Sequence, residues 1–165
     1  TDLIEINQPL EIMGMLVTPF PTSHDSVESI GFHIDLENGS IGIATDLGKV
    51  DEKVEQGLTG CELVMLESNY DQRMLESGAY PYYLKRRIAG NSGHLSNDDC
   101  SAFLPQLVKS GTKHFVLCHL SQENNLPQIA EQSAVCQLTL EQMDREQDYQ
   151  LSIAPRNMPG MPIEL

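Results

Sequence analysis

The stretch Ile41-Gly42-Ile43-Ala44-Thr45-Asp46 decides how this chain folds, because five residues typical of a buried strand lead directly to a carboxylate. Two other apolar strands end similarly: Val17 to Phe20 leads to His24, and His114 to Cys118 leads to His119. Functional residues of sheet proteins are often found where strands end, because the sheet holds the strand end rigidly and the following loop leaves the side chain accessible. Two imidazoles and one carboxylate suit Zn²⁺ or Mn²⁺ better than a soft metal or haem. The pattern therefore predicts a metal site at strand ends.

The rest of the chain alternates between predicted strands and helices, within a length of 165 residues that is typical of one domain. Ile12 to Val17 and Ser29 to Leu36 read as strands, and an Asn-Gly turn predicts a hairpin between the second and Ile41 to Thr45. Leu63 to Leu66 is entirely apolar, which is typical of a strand buried on both faces. Helices are predicted over residues 50–58, 71–77, 81–89, 96–110 and 127–143, and a last strand over 149–153. The fold class is therefore mixed α/β.

The net charge of −14 argues against a general nucleic-acid surface, which needs basic patches to displace phosphate counterions. The acidic charge is compatible with a nucleic-acid-binding cleft, because bound divalent cations can dominate the electrostatic potential inside a cleft. Lys85-Arg86-Arg87 is the one basic cluster, and such a run is most often a solvated helix face that could also meet phosphates. Tyr80, Tyr82 and Tyr83 just before it favour packing over base stacking.

Cysteine spacing and hydropathy indicate the cellular compartment in which the protein is found. The four cysteines are scattered without a Cys-x-x-Cys pair, which disfavours a zinc ribbon and favours free buried thiols in a reducing cytoplasm. No apolar run approaches the roughly 18 residues of a membrane span, and no secretory signal pattern opens the sequence. The sequence therefore predicts a cytoplasmic protein without a membrane partner.

Five motifs follow one another in a fixed order. They are VTPFPTSHDS (residues 17–26) with IGFHI (30–34), GIATDLG (42–48), MLESNY (65–70), GHLSN (93–97) and LCHLS (117–121). This set resembles the metal motifs of metallo-β-lactamase-fold hydrolases of the tRNase Z-like kind. The ESN, GHLSN and HLSQENN segments together are most similar to the WalJ-type branch, small bacterial proteins regarded as 5′-to-3′ exonucleases. The resemblance runs from about Met15 to Pro155 and so covers most of the chain.

The resemblance implies an αββα sandwich, of which this chain holds mostly the C-terminal half, and a dinuclear metal site. Asp46 would bridge two divalent ions, Zn²⁺ or Mn²⁺, with His24 completing one and His119 the other. Glu67 would polarise His94, which donates a proton to the leaving alkoxide while metal-activated water attacks a nucleic-acid phosphodiester. Asp46, Glu67 and His94 are thus the expected catalytic residues.

One family signature, His-x-His-x-Asp-His, is absent from residues 1–165. We therefore expect this chain to be the C-terminal portion of a longer protein, inactive alone and left with exposed apolar surface that favours association. Two alternatives stay open: a non-catalytic fragment or remnant acting as a binding or structural module, and a hydrolase of small-molecule esters or cyclic phosphodiesters.

Taken one at a time, the five site residues also have plain structural explanations. A histidine in a polar loop, such as His24, is most often solvated or caps a turn, and His94 could cap the helix that follows it. Asp46 fits a turn or helix start, and His119 fits a buried imidazole bonded to backbone. Glu67 is harder to explain in this way, because an unpaired buried carboxylate is costly. Their joint order favours the functional interpretation.

Overall fold

The computed structural model describes residues 8–165, whose secondary structure alternates as the sequence predicts. The strands are β1 (Leu10–Ile12), β2 (Met15–Pro21), β3 (Ile30–Leu36), β4 (Gly39–Ala44), β5 (Leu63–Glu67), β6 (His114–Cys118) and β7 (Gln150–Ile153). The helices are α1 (Glu52–Leu58), α2 (Gln72–Ser77), α3 (Tyr82–Ile88), α4 (Asn97–Lys109) and α5 (Pro127–Leu140).

The strands form one sheet whose spatial order repeats the chain order from β1 to β7. Neighbours are antiparallel from β1 to β4 and parallel from β4 to β7. Because β2 and β4 are both antiparallel to β3, β2 runs in the same direction as β4, β5 and β6. The C-terminal ends of these four strands therefore share one edge of the sheet, and the parallel strands are joined through helices as such connections require.

The first predicted strand, Ile12 to Val17, is wrong in its boundaries. A tight turn separates β1 from β2, and Ile12 pairs with Met15 across it. Met13 and Gly14 take φ values of 52° and 82°, the left-handed pair that suits the twist of a two-residue hairpin turn. Beyond the turn, β2 continues to Pro21, which brings the His24 loop to the end of a longer strand.

One face of the sheet packs against α1, α4 and α5 and forms the hydrophobic core. Val64, Leu66, Phe115 and Leu117 project from β5 and β6 into this core and are at most 1% exposed. Ser96 caps α4, since its Oγ accepts a hydrogen bond from the Asp99 N–H at 3.0 Å. Helix α4 continues through the buried Pro105 to Lys109.

The opposite face of the sheet is apolar but only half covered. Strand register places two rows of side chains on it, and each of these residues is half-buried. The rows are Val17, Ile34 and Ile41, and Phe32, Ile43 and Met65. A fully exposed apolar surface is therefore not seen on these rows, and association through this half-covered face stays a prediction.

Two further expectations concern cysteines and membranes. Cys61, Cys100 and Cys118 are buried free thiols as predicted, whereas Cys136 on α5 is exposed. Within residues 8–165, every helix is too short or too polar to cross a bilayer.

Candidate metal centre

The five residues singled out in the sequence lie together at the C-terminal edge of the sheet. His24 follows β2, Asp46 follows β4, Glu67 ends β5 and His119 follows β6, while His94 reaches the same place from the segment between α3 and α4. The His94 ring centroid lies 5.0 Å from that of His24 and 5.4 Å from that of His119. The shared direction of β2, β4, β5 and β6 produces this convergence.

His24 and Asp46 have the spacing of two ligands on one cation. His24 Nε2 lies 3.6 Å from Asp46 Oδ1, whereas two ligands on a tetrahedral zinc with bonds of 2.0–2.1 Å are separated by about 3.3 Å. His24 Nδ1 is bonded to the Gly93 carbonyl at 2.7 Å, so it carries the proton and leaves Nε2 free. One oxygen donor and one free imidazole nitrogen thus face the same space.

Glu67 holds two of the histidines with one carboxylate oxygen. Its Oε1 accepts hydrogen bonds from Nδ1 of His94 at 2.8 Å and from Nδ1 of His119 at 2.7 Å, and Oε2 accepts from the Leu47 N–H at 3.0 Å. The nitrogen and oxygen atoms of Glu67, His94 and His119 lie within 4.8 Å of one another, a spacing that could suit metal ligands. The distances of 2.7 and 2.8 Å are those of hydrogen bonds, so these three groups form a hydrogen-bonded triad. Because a carboxylate only accepts, both Nδ1 atoms carry the proton and both rings keep Nε2 free.

The triad shifts the ionisation of its members. Burial raises the pKa of the fully buried Glu67 carboxyl, but hydrogen bonds from His119, His94 and Leu47 outweigh burial, so its pKa lies below the ordinary value. Hydrogen bonding to Glu67 raises the pKa of His119 against the opposing effect of burial. Glu67 is therefore an anion at neutral pH, and it makes the His119 ring more basic.

Asp46 and His119 both sit in backbone conformations that side chains rarely adopt. Their φ values are 54° and 55°, in the left-handed region, which is uncommon for residues other than glycine. The Asp46 carbonyl is held there by the hydroxyls of Thr22 at 2.9 Å and Ser29 at 3.2 Å. Such strain collects at functional sites, where the surrounding contacts over-determine the backbone.

Close backbone approaches fasten the His24 and Asp46 loops to the His94 loop. The Gly48 N–H donates to the Ser23 carbonyl at 2.7 Å, and the Ser23 hydroxyl donates to the Asn91 carbonyl at 2.6 Å. A Cβ on Gly48 would collide with the backbone of residues 90–93, and one on Gly93 would collide with the carbonyls of Arg87 and Ile88. The glycines of GIATDLG and GHLSN are therefore needed for this contact.

A buried asparagine network joins the Glu67, His94 and His119 loops. Asn69 Nδ2 donates to the His119 carbonyl at 2.7 Å, which supports the left-handed backbone there. Asn97 exchanges side-chain hydrogen bonds of 2.9 Å with Asn125, and its Oδ1 also accepts from the Ser68 hydroxyl at 2.7 Å. Asn125 Nδ2 further donates to the carbonyls of Ser68 and Asn69. Polar residues of the ESN, GHLSN and HLSQENN segments therefore hold the loops of Glu67, His94 and His119 together.

Helix α3 forms one wall of a cleft of about 430 Å³ that contains His24, Asp46, His94 and His119. Leu84, Arg87 and Ile88 line it from α3, and Tyr80 lines it from the preceding loop. Arg87 makes a two-pronged ion pair with Asp25, with Nη2 to Oδ1 at 3.0 Å, and this pair lowers the pKa of the Asp25 carboxyl. The packing expected for the tyrosines is wrong for two of them, since Tyr82 and Tyr83 are 75% and 74% exposed.

Sequence reasoning found the five side chains but missed the groups that orient them. The double role of Glu67, the left-handed backbones and the asparagine network depend on contacts between loops far apart in the chain. The repeated asparagines after Ser68, Ser96 and Glu123 are the one sequence signal that points to the network. Their uncommon clustering next to predicted ligands could have drawn attention to it.

The chain is similar to known proteins over much of its length. Residues 1–120 match the family described as the beta-lactamase superfamily domain. Exodeoxyribonuclease YycJ of Bacillus anthracis is 34% identical over 117 residues, which are 71% of this chain and 44% of that protein. Exodeoxyribonuclease WalJ of Streptococcus pneumoniae is 33% identical over 122 residues, 74% of this chain and 45% of that protein. The chain thus spans less than half the length of the curated relatives it matches.

Solved structures agree on the fold. The metallo-beta-lactamase fold protein YhfI from Bacillus subtilis superimposes with a TM-score of 0.66 at 14% identity, over 92% of this chain and 50% of that one. This likeness confirms the α/β sandwich class expected from the motifs, and the match to WalJ and YycJ confirms the resemblance to that branch. The chain belongs to the beta-lactamase superfamily and has the metallo-β-lactamase fold.

Proposed function

We propose that this protein hydrolyses phosphodiester bonds of nucleic acid as a 5′-to-3′ exonuclease that depends on two divalent cations, Zn²⁺ or Mn²⁺. The observation that carries the proposal is the buried Glu67 carboxylate, which orients His94 and His119 directly beside the His24–Asp46 donor pair. The names of the relatives, both exodeoxyribonucleases, support a nuclease. The four free cysteines fit the cytoplasmic location that the sequence suggests.

The donor set fits divalent cations of this kind. His24 Nε2 and Asp46 Oδ1 would hold one ion, and the same aspartate with Nε2 of His119 would hold the other, because Glu67 occupies Nδ1 of that ring. Imidazole and carboxylate are ligands that Zn²⁺ and Mn²⁺ both accept. When bound, such a pair supplies activated water and neutralises charge on the phosphate. Glu67 would make His119 a stronger ligand by accepting its Nδ1–H.

His94 has the surroundings of a general acid. Its Nδ1–H is fixed on Glu67, so the orientation of the ring is set before substrate binds. The ring is 24% exposed and lines the cleft, so Nε2, which makes no bond to Glu67, is the atom from which a proton would pass to a leaving alkoxide. Glu67 acts through the imidazole and does not touch the substrate, because it is completely buried.

End-labelled oligonucleotides test this proposal. The complete gene product, loaded with Zn²⁺ or Mn²⁺, should release mononucleotides from the 5′ end of single DNA strands, and EDTA should abolish release. Asp46→Asn should abolish both metal binding and cleavage. Release from the 3′ end would overturn the polarity, and cleavage that persists after metal removal would overturn the mechanism. Hydrolysis of cyclic or small-molecule esters without any action on DNA would favour the alternative substrate class.

A further inference from the structure

Helix α3 divides the metal cleft from a second depression. On one side of the helix, Leu84, Arg87 and Ile88 line the cleft. The opposite flank lines a groove of about 320 Å³ between α2 and α3, with Tyr82, Lys85 and Arg86 on one side and Gln72, Leu75 and Glu76 of α2 on the other. The two surfaces share one short helix, so a chain molecule that leaves the cleft over α3 enters this groove.

Two cations of the groove make no ion pair among the described residues. Lys85 Nζ donates to the Glu76 carbonyl at 2.7 Å, and the Arg86 guanidinium lies over the Tyr82 ring, 6.0 Å from its centroid. Among residues 8–165, no carboxylate lies within 4.0 Å of either charge, in contrast to Arg87 with its Asp25 partner. Lys85 to Arg87 holds three of the ten basic residues of a chain whose net charge is −14. Positive charge therefore collects beside the cleft despite an acidic whole.

Aromatic surface lies next to these charges. Tyr82 and Tyr83 are 75% and 74% exposed, at the N-terminal end of the same helix. Exposed tyrosine beside unpaired cations is the combination that binds single strands, because bases stack on rings while cations follow the phosphates. A duplex hides its base faces and is held through many phosphate contacts, which this small patch does not provide.

We propose that the groove between α2 and α3 binds a single strand of nucleic acid, with Lys85 and Arg86 on phosphates and Tyr82 under a base, and that α3 leads the strand into the metal cleft. This inference rests on the proposed function, since the cleft is taken as the place of cleavage. Strand binding in the groove requires no metal, because Tyr82, Lys85 and Arg86 are not among the proposed metal ligands.

Fluorescence anisotropy in EDTA tests the groove without cleavage. The complete gene product is titrated with a labelled single-stranded oligodeoxynucleotide at several salt concentrations. Removing two phosphate contacts from a single strand should make the slope of log K against log salt shallower by about 1.4, so this is the change expected for Lys85→Ala/Arg86→Ala. Tyr82→Ala should weaken binding about 5- to 150-fold with the salt slope nearly unchanged, the range measured for one stacked base.

Lys109→Ala/Lys113→Ala is the matched control, because it removes the same charge from the opposite edge of the sheet, at the end of α4 and before β6. Equal salt slopes for the two double variants would overturn the proposal. Tighter binding of duplex than of single strand, together with an unaffected Tyr82→Ala, would overturn the single-strand assignment. Arg86→Ala alone, which breaks no hydrogen bond among residues 8–165, should reproduce half of the slope change and guards against misfolding.

A second measurement separates this inference from the proposed function. Hydrolysis of bis(p-nitrophenyl) phosphate by the metal-loaded wild-type protein reports the metal cleft alone, since this diester has no strand to seat. Hydrolysis of the small diester with unaltered strand binding in the groove variants refutes the groove and retains the enzyme. Groove-dependent strand binding without hydrolysis of any diester supports the groove and refutes the enzyme.

Discussion

Replacing Glu67 by glutamine should weaken both the fold and the metal site. The carboxylate accepts three hydrogen bonds, from His94, His119 and the Leu47 N–H, and it is completely buried. A glutamine that keeps its carbonyl toward the histidines turns an amide N–H toward Leu47, which leaves a buried donor unpaired. This costs about 1–3 kcal/mol, and the two bonds to histidine each lose about 1 kcal/mol when they are no longer charge-assisted.

A neutral amide is easier to bury than a carboxylate, which offsets part of that loss. We therefore expect Glu67→Gln to lower the free energy of unfolding by about 2–4 kcal/mol in metal-free protein, measured by urea denaturation in EDTA. Metal affinity of the complete gene product should fall about 10- to 100-fold, the usual effect of removing the partner of a ligating histidine.

Glu62→Gln is the matched control, because Glu62 lies just before the same strand and pairs with the exposed Lys113 at the surface. It should change the urea midpoint little. A Glu67→Gln midpoint equal to wild type would refute the reasoning, since it would show that the three hydrogen bonds contribute nothing to stability.

Four other outcomes follow from the structure. His94→Ala should keep bound metal and lose turnover by roughly 10²–10⁴-fold, whereas metal loss in metal analysis would make it a ligand. The isolated 165-residue chain should bind Zn²⁺ or Mn²⁺ weakly in equilibrium dialysis and show no turnover, and tight binding of two ions would mean that it holds further ligands. Asn125→Ala should lower stability by about 1–3 kcal/mol in urea denaturation, because it removes the acceptor of the buried Asn97 Nδ2–H, and an unchanged midpoint would contradict the network. Cys136 alone should react with a thiol reagent in folded protein at pH 8, since the other three cysteines are buried and burial raises the pKa of Cys61 and of Cys118 to about 12; more than one reactive thiol would be the contrary result.

The sequence predicts the parts of the site that depend on local pattern. Apolar runs that end in Asp46, Glu67 and His119 identify strand tips, and strands that run the same way must present those tips at one edge. The motif order adds the identity of the fold. The five side chains therefore meet where the strand pattern places them, although their chemical roles stay predictions.

Features that depend on distant contacts could not be predicted in the same way. The exposure of Tyr82 and Tyr83 is decided by how α3 lies over the cleft, and alternation in a seven-residue helix does not reveal it. The division of β1 from β2 depends on Met13 adopting a left-handed backbone, which its side chain does not favour. Glu67 could be assigned to one histidine from its motif, but its bond to His119 depends on loop geometry after β6.

The chain-ordered sheet has a consequence for synthesis of the protein on the ribosome. Each new strand adds to the growing edge of the sheet, next to the strand made just before it. Few long loops must therefore close, so the entropy cost of loop closure before the stabilising contacts form is small. The sheet can therefore assemble progressively as the polypeptide emerges. His119 follows the sixth strand, so the ring that completes the cleft arrives after most of the scaffold is made. Metal acquisition on this chain would then mark the end of its folding and would not start it.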